Sequence, residues 1–184
     1  MRRKHVPSLN VQLLTCMLLL TATVAATAQS LKKYPIEKTG CSVYMFCDPG
    51  KFELSMSPDS SKVYVAECIH EHVYYDVICV RMKESIAKAD EAEGVLVQYL
   101  DYLKGSFGTI SAVGYGKGHR LRGNEQTRGI VDYWKDEKGN NIKVKGWTNG
   151  RFIAVAMVIS EKEIPEPKVN AFLDGFVFPD EKKK

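Results

Sequence analysis

The chain has 184 residues, of which 26 are Lys or Arg and 22 are Asp or Glu, so its formal net charge is +4. This length suits a single domain, and no internal repeat, low-complexity tract or linker divides it. Residues 1–28 contain three of the basic residues and no acid, so without them 23 basic residues face 22 acidic ones. A balance this even removes the main argument for a nucleic-acid partner.

The first 28 residues have the features of a secretory signal peptide. Met1–Lys4 is basic, an apolar run extends from Val11 to about Ala26, and small residues precede Gln29. This order predicts export, with cleavage after Ala28. The alternative of a membrane anchor is disfavoured, because the apolar run is short for a spanning helix and is interrupted by threonines.

The leader also defines the expected domain organisation. A lipoprotein-type box ending at Cys16 is disfavoured, because the apolar run continues past that residue. The sequence then predicts an N-terminal segment over 29–40, one α+β domain over 41–180 and a basic tail over 181–184. The signal peptide predicts a location in the periplasm or outside the cell. Its removal leaves no predicted transmembrane segment.

Four short runs in the first half of the domain have the alternating or β-branched composition of strands. They are Ser42–Cys47, Lys51–Met56, Lys62–Ile69 and Val73–Arg81. The last two read as a hairpin with a two-residue turn at Glu71-His72. That turn would place Cys68 opposite Tyr75 and Cys79 opposite Tyr64.

A change of pattern at Lys83 predicts a helix over about 88–104. Its apolar residues recur at helical spacing, Gly94 is its weak point, and Gly105 is a suitable stop. The apolar face consists of Leu96, Tyr99, Leu100 and Leu103. The following stretch, Gly105–Gly129, is rich in glycine and has no regular pattern.

Residues 126–160 give the strongest signal, a meander of three antiparallel strands. The predicted strands are Arg128–Trp134, Asn141–Thr148 and Arg151–Ser160. Asn149-Gly150 accepts positive φ and favours a tight hairpin between the last two. The third strand is apolar nearly throughout, which is typical of a strand covered on both faces.

A short second helix is predicted near the C-terminus, over about 167–175, with Val169, Phe172 and Leu173 on its apolar face. This order of elements predicts an α+β fold. Its antiparallel β-sheet would have about six to eight strands, as one pleated layer packed with two main helices.

Four cysteines remain after the leader, at Cys41, Cys47, Cys68 and Cys79. Strand geometry argues against bridges within the local pairs Cys41/Cys47 and Cys68/Cys79. The open alternatives are bridges that cross between those pairs, or buried thiols packed as small hydrophobes, which we favour. Nothing marks any of them as an activated thiolate.

The layout resembles small exported bacterial proteins with a PsbP-like α-β-α sandwich. The segments that carry the likeness are Lys51–Pro58, the Tyr-rich Tyr74–Val77, Arg151–Val155 and Phe172–Phe176, around an intervening helix. The resemblance implies a sandwich fold, and a binding or accessory role by analogy with the PsbP proteins, which are non-catalytic subunits of a membrane complex. It carries no functional residue.

His70-Glu71-His72 is the most suggestive candidate site. Two imidazoles and a carboxylate at a hairpin tip are ligand types for zinc or copper, with His119 as a possible third nitrogen. Polar residues at a hairpin tip are equally what solvent exposure predicts. No HExxH or Cys-x2-Cys spacing supports a metal, so His70, His72 and His119 are weak candidates and no cofactor is predicted.

Gly114–Gly118 resembles a phosphate-cradling loop, but no helix start follows it. The basic residues nearby could form an anion-accepting patch, with Glu125 as the one acid among them, although a solvated basic loop explains them as well. They are Lys117, His119, Arg120, Arg122 and Arg128.

No catalytic constellation is visible. Gly105–Gly108 lacks the Gly-x-Ser-x-Gly spacing, and Asp132, Asp136 and Glu137 form no identifiable acid pair. Trp134 and Trp147 could line a carbohydrate or lipid groove, but on adjacent strands they are better explained as core residues or cross-strand partners.

The sequence therefore predicts an exported, non-enzymatic binding or accessory protein of the bacterial cell envelope. Its partner would be an unidentified protein or small ligand. The alternatives are an envelope metal-binding protein that uses His70 and His72, and a hydrolase whose residues converge only in the fold.

Overall fold

The computed structural model describes residues 31–164 and 166–179. The predicted signal peptide, the disfavoured lipoprotein-type box at Cys16 and the basic tail lie outside these residues. Within the described residues there are two α-helices, α1 over Ala89–Ser106 and α2 over Glu166–Leu173, with a short 3-10 turn at Leu121–Gly123. The strands are β1 Lys32–Pro35, β2 Ser42–Met45, β3 Glu53–Met56, β4 Lys62–His70, β5 Val73–Arg81, β6 Thr109–Ala112, β7 Gly116–His119, β8 Arg128–Asp136, β9 Asn141–Thr148, β10 Phe152–Ser160 and β11 Phe176–Val177.

The main element is an eight-stranded sheet in the order β3-β4-β5-β10-β9-β8-β6, with β7 also paired to β8. Every described pairing in it is antiparallel. The predicted meander is confirmed as β8, β9 and β10, and β10 is buried along nearly its whole length. Glu71 and His72 have φ values of 51° and 63°, as a tight two-residue hairpin turn requires.

A second, three-stranded sheet, in the order β1-β2-β11, was not predicted. The strand expected over Ser42–Cys47 belongs to this sheet, and the segment assigned to 29–40 contributes β1. The expectation of one pleated layer is therefore wrong, although the α+β class with a predominantly antiparallel sheet is confirmed. β1 escaped prediction because its four residues are largely exposed and do not alternate.

The two helices cover opposite faces of the large sheet. The predicted helix over 88–104 is confirmed as α1, whose Leu96, Leu100 and Leu103 are buried against one face. Val169 and Phe172 of α2 pack into a second core, which is shared with the small sheet on the other face. Two cores, one on each side of a single sheet, follow from strands that are apolar on both faces.

Ion pairs fasten α2 and the residue that follows it to the sheet. Lys143, which is 3% exposed, donates to Glu166 and to Asn170 Oδ1 at 2.9 Å. Lys145 donates to Asp174 Oδ1 at 2.6 Å. Burial lowers the pKa of Lys143, but the pairing with Glu166 raises it, and the net shift is upward.

A disulfide joins Cys47, just after β2, to Cys68 on β4. It crosses between the two local pairs, one of the two alternatives left open by the sequence. Cys41 and Cys79 are buried outside this bridge, and a hydrogen bond with Cys41, together with burial, raises the pKa of Cys79 well above its ordinary value. The favoured alternative of buried thiols therefore holds for these two and is wrong for Cys47 and Cys68.

Replacing both Cys47 and Cys68 by alanine is expected to lower the free energy of unfolding by about 3 kcal/mol, because the bridge closes a loop of 21 residues. Urea denaturation monitored by tryptophan fluorescence measures the loss. Reduced wild-type protein is the control, and its midpoint should move to that of the variant. A double variant as stable as the oxidised wild type would contradict the expectation.

Within the residues that the structure describes, no helix combines the length and the apolar character needed to cross a membrane.

Candidate functional site

The α1 face of the large sheet carries an open groove beyond the C-terminal end of α1. Alternate residues of β5 face opposite sides, with Ile78 and Val80 under α1 and Tyr75 and Val77 in the core shared with α2. By this alternation Asp76 lies on the α1 face. The groove has a volume of about 1290 Å³. Its walls are the end of α1, the β8–β9 turn and the segment that follows β10, and it extends around the end of the sheet to the β4–β5 turn and Lys168 of α2.

Two cross-strand rows form the part of the groove contributed by the sheet. In one row the register places Glu67 of β4 opposite Asp76 of β5. In the next row Ile69 lies opposite Tyr74, which in turn lies opposite Ile159 of β10. Residues directly opposite each other project from the same face of a sheet. An acidic row and an apolar row therefore run side by side.

Asp76 is the unusual member of this set. It is 8% exposed, and its Oδ1 atom is buried without a hydrogen-bond partner. Burial, and secondarily the charge of Glu67, raise the pKa of Asp76 to about 7. Buried polar atoms in proteins nearly always have a partner. A carboxyl group with an unused oxygen that lines a groove is therefore a candidate binding group.

The apolar row is exposed rather than covered. Ile69 is 58% exposed and Tyr74 is 45% exposed. α1 ends before it reaches these residues, and Phe107, immediately after the helix, lines the groove. The row therefore offers an aliphatic and an aromatic surface immediately beside the two carboxylates.

The charges that line the groove are mostly negative. Seven carboxylates face three lysines, and one lysine, Lys168, already pairs with Glu71 at 3.1 Å. Unequal charge of this kind raises the local concentration of cations. The carboxylates are Glu67, Glu71, Asp76, Asp136, Glu137, Glu161 and Glu163, and the lysines are Lys138, Lys162 and Lys168.

The three predicted metal-ligand candidates do not come together. His70 and His72 lie at the β4–β5 turn, where the ring of His70 stacks on Phe46 at 6.2 Å. His119 lies on β7, five strand spacings from β4, which is about 24 Å at roughly 4.8 Å per spacing. Among residues 31–164 and 166–179, no group of three or more His, Cys, Asp or Glu side chains could hold a metal ion.

The glycine-rich segment does not form a phosphate loop. Gly116–His119 is strand β7, and Gly114 donates its N–H to Asp132 Oδ1 at 2.8 Å. The chain thus passes into a strand instead of a helix N-terminus, which phosphate cradling requires.

The predicted anion-accepting patch is largely neutralised by nearby acids. Lys117 pairs with Glu93 at 3.4 Å, and Arg128 with Asp90 at 3.3 Å. The third pair, Arg120 with Glu125, is 3.6 Å apart. Burial and the charge of Lys145 lower the pKa of His119. The solvated basic loop is therefore the better interpretation.

Two of the three acids considered for hydrolysis, Asp132 and Asp136, have structural roles, and the third, Glu137, lines the groove. Asp132 is fully buried and accepts hydrogen bonds from Trp134 Nε1 at 2.8 Å and from Tyr133 N at 2.8 Å. Asp136 lines the groove, but Asn140 donates to both of its oxygens.

Both tryptophans are core residues, as the sequence favoured. Trp134 is 3% and Trp147 is 2% exposed. They belong to different cores, so they are not cross-strand partners. Neither of them lines the groove.

Sequence reasoning missed the acidic row. A signal for it was present, because the predicted turn at Glu71-His72 fixes the register that also sets Glu67 opposite Asp76. An acid within the otherwise apolar and aromatic run Val73–Arg81 was the second clue. What the sequence could not indicate is that α1 stops short of this end of the sheet.

No protein-family model matches the chain, and a search of curated proteins finds no match.

Proposed function

We propose that this chain is an exported, non-enzymatic binding protein of the bacterial cell envelope, and that its ligand binds in the groove at the end of the large sheet. The observation that carries the proposal is the groove itself, which sets an exposed apolar row beside a buried carboxylate with an unused oxygen. Binding sites in proteins combine apolar surface with a few polar groups in this way.

Export is supported by the composition of residues 1–28 and by the disulfide between Cys47 and Cys68. Disulfides form and persist mainly in oxidising compartments. The bridge also ties the segment that follows β2 to β4 of the groove-bearing sheet. We also propose that the chain is related to the PsbP-like proteins, because an α-β-α sandwich has helices on the two faces of one sheet.

The alternatives gain less from the geometry. A site built on His70, His72 and His119 would have to span about five strand spacings. A hydrolase built on Asp132 would use a carboxylate already engaged by Trp134 and Lys104. The groove proposal uses residues that the fold does bring together.

The proposal is tested by blocking the groove. Ile69→Arg places a long cationic side chain in the apolar row, and we expect it to abolish retention of small molecules that co-purify with the wild-type protein from a bacterial envelope extract. Native mass spectrometry identifies those molecules. Recovery of each at unchanged mass after incubation is expected for a protein that binds without catalysing a reaction.

Leu54→Arg is the matched control. Leu54 is also an exposed aliphatic residue, at 56%, but its register partner Tyr64 faces the core shared with α2. Leu54 therefore projects from the opposite face, and its variant should retain the same molecules as the wild type. Equal retention by wild type and Ile69→Arg would overturn the proposed site, and chemical conversion of a retained molecule would overturn the non-enzymatic role.

A further inference from the structure

Resting on the function proposed above, we infer that the groove takes a small organic cation. Its ammonium group would lie against Asp76 and Glu67, and its hydrocarbon body would lie on Ile69 and Tyr74. Four features of the groove support this class of ligand.

The first feature is the unused oxygen of Asp76. An ammonium group carries N–H donors only, so it suits a carboxylate whose Oδ1 atom has no hydrogen-bond partner. Asp76 lines the groove, so an ammonium group that enters the groove can donate to this carboxylate. Charge-assisted hydrogen bonds of this kind are roughly twice as strong as neutral ones.

The second feature is the position of Glu67 directly opposite Asp76. Like charges placed opposite each other across a strand pair are unfavourable. A single cation between the two carboxylates attracts both of them and so offsets their mutual repulsion. An anionic ligand would instead add a third negative charge at the same place.

The third feature is the apolar row beside the carboxylates. Ile69 is 58% and Tyr74 is 45% exposed, and both lie one row away from the acids on the same face. A hydrocarbon chain or ring attached to the ammonium group would cover them, and burial of apolar surface is favourable. The ring of Tyr74 also offers a face that attracts cations.

The fourth feature is the arrangement of ligand atoms. Two carboxylates next to an aliphatic and an aromatic side chain fit a cation with a hydrocarbon body. A divalent metal such as calcium takes six or more oxygen ligands. The excess of carboxylates around the rim of the groove adds a field that draws any cation inward.

The test compares three probes of one shape at pH 8, namely phenethylammonium, 2-phenylethanol and 3-phenylpropionate. Titration of the isotope-labelled protein, followed by NMR, gives the affinity and the residues affected. We expect phenethylammonium to bind at least about tenfold more tightly than the alcohol, and the propionate to bind more weakly still. The largest shifts are expected at Ile69, Tyr74 and Asp76.

Asp76→Asn keeps the shape of the side chain and removes its charge. It should weaken phenethylammonium binding by about 10- to 100-fold, the range for one charge-assisted hydrogen bond, and leave the affinity for the alcohol nearly unchanged. Glu84→Gln removes one exposed carboxylate that does not line the groove. Its affinity for phenethylammonium should stay within about twofold of wild type, because distant exposed charges are screened.

The outcomes separate this inference from the function on which it rests. Equal affinity for the ammonium and the alcohol, or an unchanged affinity in Asp76→Asn, would overturn the organic cation. If neutral or anionic molecules were nevertheless retained by the wild type and lost in Ile69→Arg, the groove would remain a binding site for another ligand class. If Ile69→Arg changed nothing, the proposed function would fail as well.

Discussion

Asp76→Asn is expected to stabilise the protein at pH 8, by up to about 4 kcal/mol, and to leave its stability at pH 3.5 nearly unchanged. The reason is that burial, and then the charge of Glu67, raise the pKa of Asp76 from 3.8 to about 7 in the folded protein. Each pH unit of difference between the two states corresponds to about 1.4 kcal/mol. Asparagine has no charge to bury at any pH.

The direction of the pH effect follows from which state binds the proton. Between about pH 4 and pH 7 the unfolded chain has lost the proton of Asp76 while the folded protein retains it. Stability contributed by this residue is therefore full below the unfolded pKa, falls as the pH rises through this window and is flat above about pH 7. A carboxylate with a lowered pKa changes stability with pH in the opposite direction. Asp59 is an example, because hydrogen bonds from Ser57 and Ser61 lower its pKa.

Urea unfolding of wild type and Asp76→Asn at pH 3.5, 5.5 and 8 measures the free energy of unfolding of each protein. The slope m, the dependence of this free energy on urea concentration, is compared between the two. The difference between the two proteins reports on Asp76 and on its interaction with Glu67, because the more distant carboxylates contribute equally to both. Glu84→Gln removes an exposed carboxylate outside the groove and provides the control, which should differ from wild type by only a few tenths of a kcal/mol. A difference for Asp76→Asn that does not grow between pH 4 and pH 7 would be inconsistent with a buried, raised-pKa carboxyl group.

A residue that lowers stability at neutral pH needs a reason to be there. Natural proteins commonly give up stability at sites that bind ligands, where unpaired or strained groups are completed by the ligand. Asp76 has this character, since asparagine is expected to improve folding while removing the charge that attracts a cation. Increased stability together with weakened cation binding in one variant would be hard to explain by a purely structural role.

The parts of the fold that sequence predicted are those set by local periodicity. The alternation along Asn141–Thr148 and the continuous apolar run of β10 predicted the meander. The spacing of Leu96, Leu100 and Leu103 fixed α1. The small sheet depends on tertiary contacts instead. β11 has only two residues and pairs with β2, more than 100 positions earlier in the chain. No local sequence pattern therefore predicts it.

The site shows the same division. The register that places Glu67 opposite Asp76 follows from a two-residue turn that the sequence did predict. The burial of Asp76 and the exposure of Ile69 depend on where α1 ends over the sheet, which is a tertiary fact. The histidines drew attention because imidazole is a familiar metal ligand, yet His119 is separated from His70 by the intervening strands of the sheet.

Lys104→Met is expected to lower the free energy of unfolding at pH 7 by about 3 kcal/mol. Lys104 Nζ lies 3.0 Å from Oδ2 of Asp132, whose side chain is fully buried. Removal of one partner of a buried ion pair leaves the other charge uncompensated and typically costs about 3–5 kcal/mol. The lower end applies here because Gly114, Tyr133 and Trp134 still donate hydrogen bonds to Asp132.

The loss should depend on pH in the direction set by Asp132. Burial raises the pKa of Asp132, but hydrogen bonds from Trp134 and Lys104 outweigh this and the net shift is downward. A carboxyl group with a lowered folded pKa contributes stability above its unfolded pKa and loses it as the pH falls through the folded value. The difference between Lys104→Met and wild type should therefore shrink below about pH 4.

Lys88→Met separates the effect of burial from the effect of losing a lysine. Lys88 lies 2.8 Å from Glu91, a distance similar to that of the Lys104 pair, but both side chains are largely exposed. Exposed pairs contribute about 1 kcal/mol or less, so chemical denaturation should show only a small change for this control. Equal losses in the two variants would mean that Asp132 is not held by Lys104. A large loss confined to Lys104→Met would place this buried pair, which links α1 to β8, among the interactions that hold α1 on the sheet and so set where the groove begins.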